Sequence, residues 1–164
     1  MGTRSGDIDP GLLLYLLRSE GMTVEALDDL LNHQSGLLGL SGTSADVREL
    51  ERSIKAGDQA AEMALEIFAY RVAKYIGAYA AVLEGVDAIA FTGGIGERSA
   101  DVRNRVCRRL RFLGLSLDPI RNRAANGEIA ACISAENSPV QAWVIPTDEE
   151  RQIAREVQTI LVKS

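Results

Sequence analysis

The stretch Asp87 to Leu113, DAIAFTGGIGERSADVRNRVCRRLRFL, does most to limit what this chain can fold into. Ala88-Ile89-Ala90-Phe91 is an apolar run of the length of a buried strand. Thr92-Gly93-Gly94-Ile95-Gly96-Glu97 interrupts it, and from Ser99 the spacing of Val102, Val106, Leu110 and Leu113 predicts a helix. The order is strand, glycine turn, helix. Without Cβ atoms the turn lets a ligand approach the backbone closely. The first N–H groups of a helix have no partner within it and suit an anion. Glycine also serves ordinary strand-to-helix turns, so this spacing leaves a nucleotide site and a plain turn both open.

Composition narrows the function classes. A chain of 164 residues with 46% apolar and 25% charged residues is globular and long enough for a sizeable core. Lys and Arg number 18 against 23 Asp and Glu, a net charge of −5, which argues against binding a nucleic-acid backbone. No apolar run approaches the roughly 20 residues of a membrane span, so no membrane association is expected. The N-terminal MGTRSGDIDP lacks the apolar core of a signal peptide. Cys107 and Cys132 show no metal-type spacing, and His33 is the single histidine. Reduced thiols and a cytoplasmic location are therefore expected, and a Cys/His metal site is not.

Taken in order, residues 1–9 form a polar, glycine-rich segment in which Arg4 and Asp7 lie beside glycines. A frayed terminus is the preferred reading over a binding loop. Asp9-Pro10 predicts a helix start, and the helix to about Ser19 has leucines enough to be largely buried. Thr23 caps a second helix, ending near His33, which is read as a helix-end residue. Residues 33–43 read as a partly buried loop. Ser44 or Asp46 caps a helix from Val47 to about Ala56. From Asp58 to Glu84 the pattern predicts a long helix, apolar on most sides and hence central. After the glycine turn, Arg98, Arg103, Arg105, Arg108, Arg109 and Arg111 read as a solvated basic face, with Arg98 the candidate to face a phosphate. Asp118 to Gly127 reads as a loop. Strands are predicted at Ile129–Ser134 and Val140–Ile145. A last helix carries Ile153, Val157, Ile160 and Leu161 on its inner face. Thr147 and Glu150 have capping-box spacing, which leaves Glu149 to point elsewhere. An acid at a strand-to-helix turn serves equally as a helix-dipole complement or as a ligand for a Mg²⁺-nucleotide. The fold class is α/β, with a small sheet and several packed helices.

Four segments in order, MGTRSGDIDPG at 1–11, SGLLGLSGTSADVRELE at 35–51, FTGGIGERSADVR at 91–103 and VIPTDEE at 144–150, resemble the acetate kinase family, which includes propionate kinases. The resemblance covers the chain end to end. It implies the fold of the superfamily of acetate and sugar kinases, Hsp70 and actin, in which two α/β domains enclose a nucleotide. By position, Arg4 resembles the active-site arginine that holds the transferring phosphoryl group and the carboxylate, a role suited to a planar guanidinium. Asp46, Val47 and Arg48 resemble the triplet lining the adenosine pocket. Gly94, Ile95, Gly96, Glu97 and Arg98 resemble the glycine loop against the nucleotide, and Glu149 the acid that helps place Mg²⁺. The implied reaction is reversible phosphoryl transfer between ATP and acetate, giving acetyl phosphate and ADP, with propionate or another short-chain carboxylate as the alternative substrate. An inactive nucleotide-binding or dimerising module is the reading from a different class. Arg98, Asp148 and Val47 depart from the family's usual residues, which bears on nucleotide preference. The resemblance further implies that residues 1–164 are a C-terminal nucleotide-binding and dimerisation domain, that the N-terminal domain is absent, that the chain alone has little kinase activity, and that the assembly is a homodimer.

Overall fold

The computed structural model describes residues 1–163. It forms two compact units that divide between Tyr79 and Ala80.

The first unit is all helix: α1 (Pro10–Arg18), α2 (Val24–His33), α3 (Gly36–Ser41), α4 (Val47–Lys55) and most of α5 (Gln59–Val82). The starts follow from capping chemistry. Asp9, Thr23 and Asp46 each accept a backbone N–H of the first turn with the side chain, and Pro10 needs no donor where it sits. The core holds Leu27, Leu37, Val47, Leu50 and Leu65 with a stripe of α5 alanines, Ala61, Ala64, Ala69 and Ala73.

Three expectations change here. The helix α1 has no buried residue, and Leu12 and Leu14 are 46% and 49% exposed. Leucines all round a helix whose packing partner is α2 cannot all be covered. The long helix α5 is buried along its alanine stripe rather than all round, and Met63, Tyr70, Tyr75 and Tyr79 are exposed. Small side chains permit the closest approach, so they take the inner face. Part of the segment 33–43 is not a loop but the short helix α3, whose first residue Gly36 has φ +62. A Cβ on Gly36 would lie 2.1 Å from the carbonyl oxygen of Met1, so only glycine fits there.

The terminus is clamped rather than frayed. Leu37, Leu38 and Ser35 donate their N–H groups to the carbonyls of Met1, Gly2 and Thr3, and Ser5 donates to Leu31. The Thr3 hydroxyl donates to the Asn32 carbonyl at 2.8 Å.

The second unit carries the sheet, made of β1 (Ala88–Phe91), β2 (Ala131–Cys132) and β3 (Gln141–Val144) in the order β1-β3-β2. The central strand β3 runs parallel to β1, pairing Ala88 with Gln141 through Phe91 with Val144, and antiparallel to β2. Ile89, Phe91, Ala142 and Val144 alternate into the core with Val106, Leu110, Leu115 and Ile133. The helices are α6 (Gly93–Arg98), α7 (Ala100–Cys107), α8 (Pro119–Ala124) and α9 (Glu149–Lys163), with a 3-10 turn at Arg111–Leu113. The glycine segment is thus helical, and Ser99 starts a separate helix by accepting from Val102 N at 3.0 Å. The expected loop at 118–127 contains α8, because the Asp118 carboxylate accepts from the N–H groups of Ile120 and Arg121. Ile153, Val157, Ile160 and Leu161 of α9 are exposed rather than inner, at 50–70%.

The basic face also divides. Arg103 is 0% exposed and Arg105 7% exposed. Burial is tolerated because every arm of the Arg103 guanidinium is satisfied. Its Nε donates to Asn122 Oδ1 (2.7 Å), Nη1 to the carbonyls of Gly96 (2.9 Å) and Glu97 (2.8 Å), and Nη2 to those of Asn122 (2.7 Å) and Ala125 (3.0 Å). Arg105 pairs with Asp101 one turn away at 2.6 Å.

Candidate functional site

Because β1 and β3 are parallel and in register, both chains leave the sheet at the same edge. Phe91 faces Val144, and Ile145 N extends the ladder to the Phe91 carbonyl at 2.9 Å. Each then turns into a helix, α6 after Thr92 and α9 after Asp148. The carboxyl edge of parallel strands is where open α/β sheets place ligands.

An open depression of about 840 Å³ lies between these two turns, lined by the segment Pro146 to Arg151 together with Gly93, Gly94, Glu97, Arg98, Gly127 and Glu128. A Cβ at Gly93 or Gly94 would meet no heavy atom within 4 Å, so the backbone faces space that a ligand can fill. The lining has five acids, Glu97, Glu128, Asp148, Glu149 and Glu150, against two arginines, Arg98 and Arg151. That balance repels a bare polyphosphate and favours one carried with a divalent cation.

Glu97 is the most constrained of these acids. Its Oε1 accepts from Gly93 N (2.9 Å), Thr147 N (2.9 Å) and the Thr147 hydroxyl (2.7 Å). The Thr147 hydroxyl also lies 3.0 Å from Gly93 N and 2.6 Å from the Thr92 hydroxyl. Donation by the Thr147 hydroxyl is the largest influence holding the Glu97 carboxyl below its ordinary value. On its other side Gly127, with φ +80, comes so close that a Cβ would sit 2.7 Å from Glu97 Cβ. The capping-box expectation at Thr147 is therefore corrected, since the Thr147 N–H goes to Glu97. Asp148 follows with φ +48, a left-handed conformation that a short polar side chain tolerates. Glu149, the candidate metal ligand, is exposed in the first turn of α9. Among the described residues no group of three or more His, Cys, Asp or Glu is placed to hold a metal by itself. Ile95 and Gly96 are not among the lining residues. Gly96 packs instead on the Phe91 backbone, where a Cβ would meet the carbonyl carbon at 3.2 Å.

The remaining candidates lie in the first unit. Asp46 caps α4 through Arg48 N (2.8 Å) and forms a forked pair with the Arg48 guanidinium, with Nη2 to Oδ2 at 2.6 Å. Hydrogen bonding from the Arg48 side chain is the largest influence taking Asp46 from 3.8 down to about 2. The Arg48 side chain is 79% exposed, whereas Val47 is buried in the core at 5%. Arg4 is exposed on the clamped terminal segment. That segment is anchored further along by Asp7, which accepts from Arg71 Nη2 (2.9 Å) and from the Tyr75 hydroxyl, with Lys74 Nζ at 3.8 Å. His33 pairs with Asp29 at the end of α2, Nδ1 to Oδ1 at 3.3 Å.

Sequence reasoning missed Thr147, Gly127, Arg103 and Asn122. The conformation of Gly127 was signalled by Asn126-Gly127. Thr147 and Asn122 act through contacts 19 to 50 residues away, for which the chain carries no local signal, and Arg103 reaches back six and seven residues to Glu97 and Gly96 only because Asn122 holds its other arms.

The family model described as the Acetokinase family matches residues 1–155. An acetate kinase of Geobacillus kaustophilus (strain HTA426) is 52% identical over 160 residues, covering 98% of this chain and 40% of its own. Among solved structures, a Porphyromonas gingivalis acetate kinase superposes with a TM-score of 0.89 at 45% identity, covering 98% of this chain and 40% of that one. A propionate kinase from Francisella tularensis gives 0.85 at 42% identity, covering 95% and 39%. The chain thus spans about 40% of the length of the curated relatives it matches. With one family model matching from residue 1 to 155, over both units and all the candidate residues, the chain belongs to the acetokinase family.

Proposed function

We propose that this chain serves the reversible transfer of the γ-phosphoryl group of ATP to acetate, as the C-terminal, nucleotide-binding part of a longer cytoplasmic, homodimeric kinase. The observation that carries this reading is the family match over 155 residues, which includes the two turns that bound the acidic depression. In the reaction a carboxylate oxygen of acetate forms a bond to the γ-phosphorus as the bond to the ADP oxygen breaks. The products are acetyl phosphate and ADP. Such transfers depend mainly on positioning and charge neutralisation.

The residues fit a Mg²⁺-nucleotide. The open backbone at Gly93 and Gly94 gives phosphates room, and the acidic lining supplies oxygen donors for a hard cation. Bound Mg²⁺ supplies charge neutralisation across the phosphate oxygens. Glu149 is assigned to hold it, directly or through water. Gly94 and Arg98 are assigned to the phosphate side, Ile95 and Gly96 to shaping the turn behind them, and Asp46, Val47 and Arg48 to the adenosine, with Val47 contributing backbone because its side chain is buried. Arg4 is assigned to the transferring phosphoryl group and the carboxylate, and its clamped backbone limits the entropy lost on binding.

Calorimetric titration of the chain and of the full-length protein with Mg-ATP and Mg-ADP tests the reading, beside phosphoryl-transfer assays with acetate and propionate. Nucleotide binding and faster transfer to acetate in the full-length protein are expected. The resemblance to a propionate kinase makes faster transfer to propionate the specific alternative. Absence of nucleotide binding by the full-length protein would refute both.

A further inference from the structure

Glu97 belongs to the glycine loop by sequence, yet one of its oxygens is fully engaged inside the protein. The three donors to Oε1 come from both turns leaving the sheet: Gly93 N after β1, and the N–H and hydroxyl of Thr147 after β3. The two turns are 50 residues apart in the chain. Among the described residues, besides this tie, only the contacts of the Thr147 hydroxyl with Gly93 N and the Thr92 hydroxyl and the last rungs of the β1–β3 ladder relate them, and the Thr147 N–H has only Glu97 as its acceptor. The Glu97 backbone is itself held, because Arg103 binds the carbonyls of Gly96 and Glu97 from below and Gly127 packs against Cβ. Thr147 stands two residues before Glu149, across a residue held at positive φ. The carboxylate of Glu97 therefore fixes the starting point of the helix that bears Glu149.

From this geometry we propose that Glu97 is a positioning residue acting through Thr147: it ties the glycine turn to the turn carrying Glu149 and sets the spacing into which a Mg²⁺-nucleotide fits. The proposal deepens the functional reading above and rests on it. It also takes Oε1 of Glu97 out of direct contact with the nucleotide, because a ligand contact through that atom would compete with three existing hydrogen bonds.

The test uses the full-length protein with Glu97→Ala, Glu97→Gln, Thr147→Val, Thr147→Ser and the double variant Glu97→Ala/Thr147→Val. The first readout needs no ligand. Amide hydrogen exchange at Thr147 and Gly93 is faster in Glu97→Ala, while exchange at Val106 and Val144 in the core is unchanged. The second is a cycle on transfer kinetics and on Mg²⁺ requirement. Removing a residue that orients a ligand to a metal typically costs about 10- to 100-fold in metal affinity or activity, and that loss is expected in the Mg²⁺ requirement and in kcat for Glu97→Ala and for Thr147→Val. Acetate KM stays within about twofold, because the perturbation lies on the nucleotide side. The double variant loses no more than the worse single, since both remove one tie. Thr147→Ser restores most of the loss, and Glu97→Gln lies between wild type and Glu97→Ala, because an amide oxygen still accepts. Multiplying losses in the double variant, or unchanged exchange at Thr147, would overturn the proposal. Absence of transfer in the unsubstituted protein would instead refute the proposed function, and the exchange result would then decide whether the tie exists.

Discussion

Replacing Arg103 with Ala is expected to destabilise the second unit more than any substitution of an exposed arginine. The guanidinium is 0% exposed and donates to Asn122 Oδ1 and to the carbonyls of Gly96, Glu97, Asn122 and Ala125. A hydrogen bond to a charged group contributes about 1.5–3 kcal/mol, so simple addition over five bonds would give roughly 7–15 kcal/mol. That sum is the whole stability of a domain and overstates the loss, because water entering the vacated space can serve some of the freed carbonyls. All five acceptors are neutral, so the better guide is the cost of a buried acceptor left without a partner, about 1–3 kcal/mol each, which for the one or two that water does not reach gives about 2–4 kcal/mol. Arg103→Lys keeps the charge without the planar fork, so it is expected to recover part of the loss. Urea denaturation with linear extrapolation measures both, with the exposed Arg111→Ala as the control, for which about 0.5 kcal/mol or less is expected. If Arg103→Ala fell within about 1 kcal/mol of Arg111→Ala, a role for this guanidinium in joining α6 to α8 would be refuted.

Gly36→Ala places a Cβ 2.1 Å from the Met1 carbonyl at φ +62, and a loss of about 1–3 kcal/mol is expected by denaturation, with faster amide exchange at Leu37 and Leu38. Asp46 titrates at about 2 rather than 3.8. Its folded value is depressed, so its contribution to stability is complete above about pH 4 and disappears as pH falls toward 2. Carboxyl-carbon NMR should show this, and Arg48→Ala should return Asp46 toward 3.8; an Asp46 already titrating near 3.8 in the unsubstituted protein would contradict the forked pair. Burial pushes the Cys107 thiol up to about 12, so Cys107 should resist alkylation at pH 8 until the chain is unfolded, and rapid native labelling would contradict its burial.

The sequence was most informative where structure is local. Helix starts at Pro10, Val24 and Val47 follow from side chains one or two residues away, and β1 matches its apolar run. Short helices were read as loops at 36–41 and 119–124 because six residues hold too few positions to show a period. Burial was misjudged where composition stood in for geometry. Leu12 and Leu14 of α1 and the sides of α5 that carry Tyr70, Tyr75 and Tyr79 were expected inside and are exposed, while Arg103 was expected outside and is buried. In each case the deciding neighbours belong to other parts of the chain. The same limit applies at the site. Glycines and acids in a turn were visible as candidates, but the engagement of Glu97 with Thr147 depends on which strand lies beside β1, which local pattern does not encode.

The in-register pairing of β1 with β3 also works as a ruler. One residue of slip would move the two turns apart by about 3.3 Å, more than the margin of any of the hydrogen bonds that join Thr92, Gly93 and Glu97 to Thr147. The same slip would turn Ile89 and Phe91 outward. One register therefore sets both the core and the spacing of the site. A substitution at the fully buried Ala142 or Val144 would thus disturb the core and the spacing between Glu97 and Thr147 together.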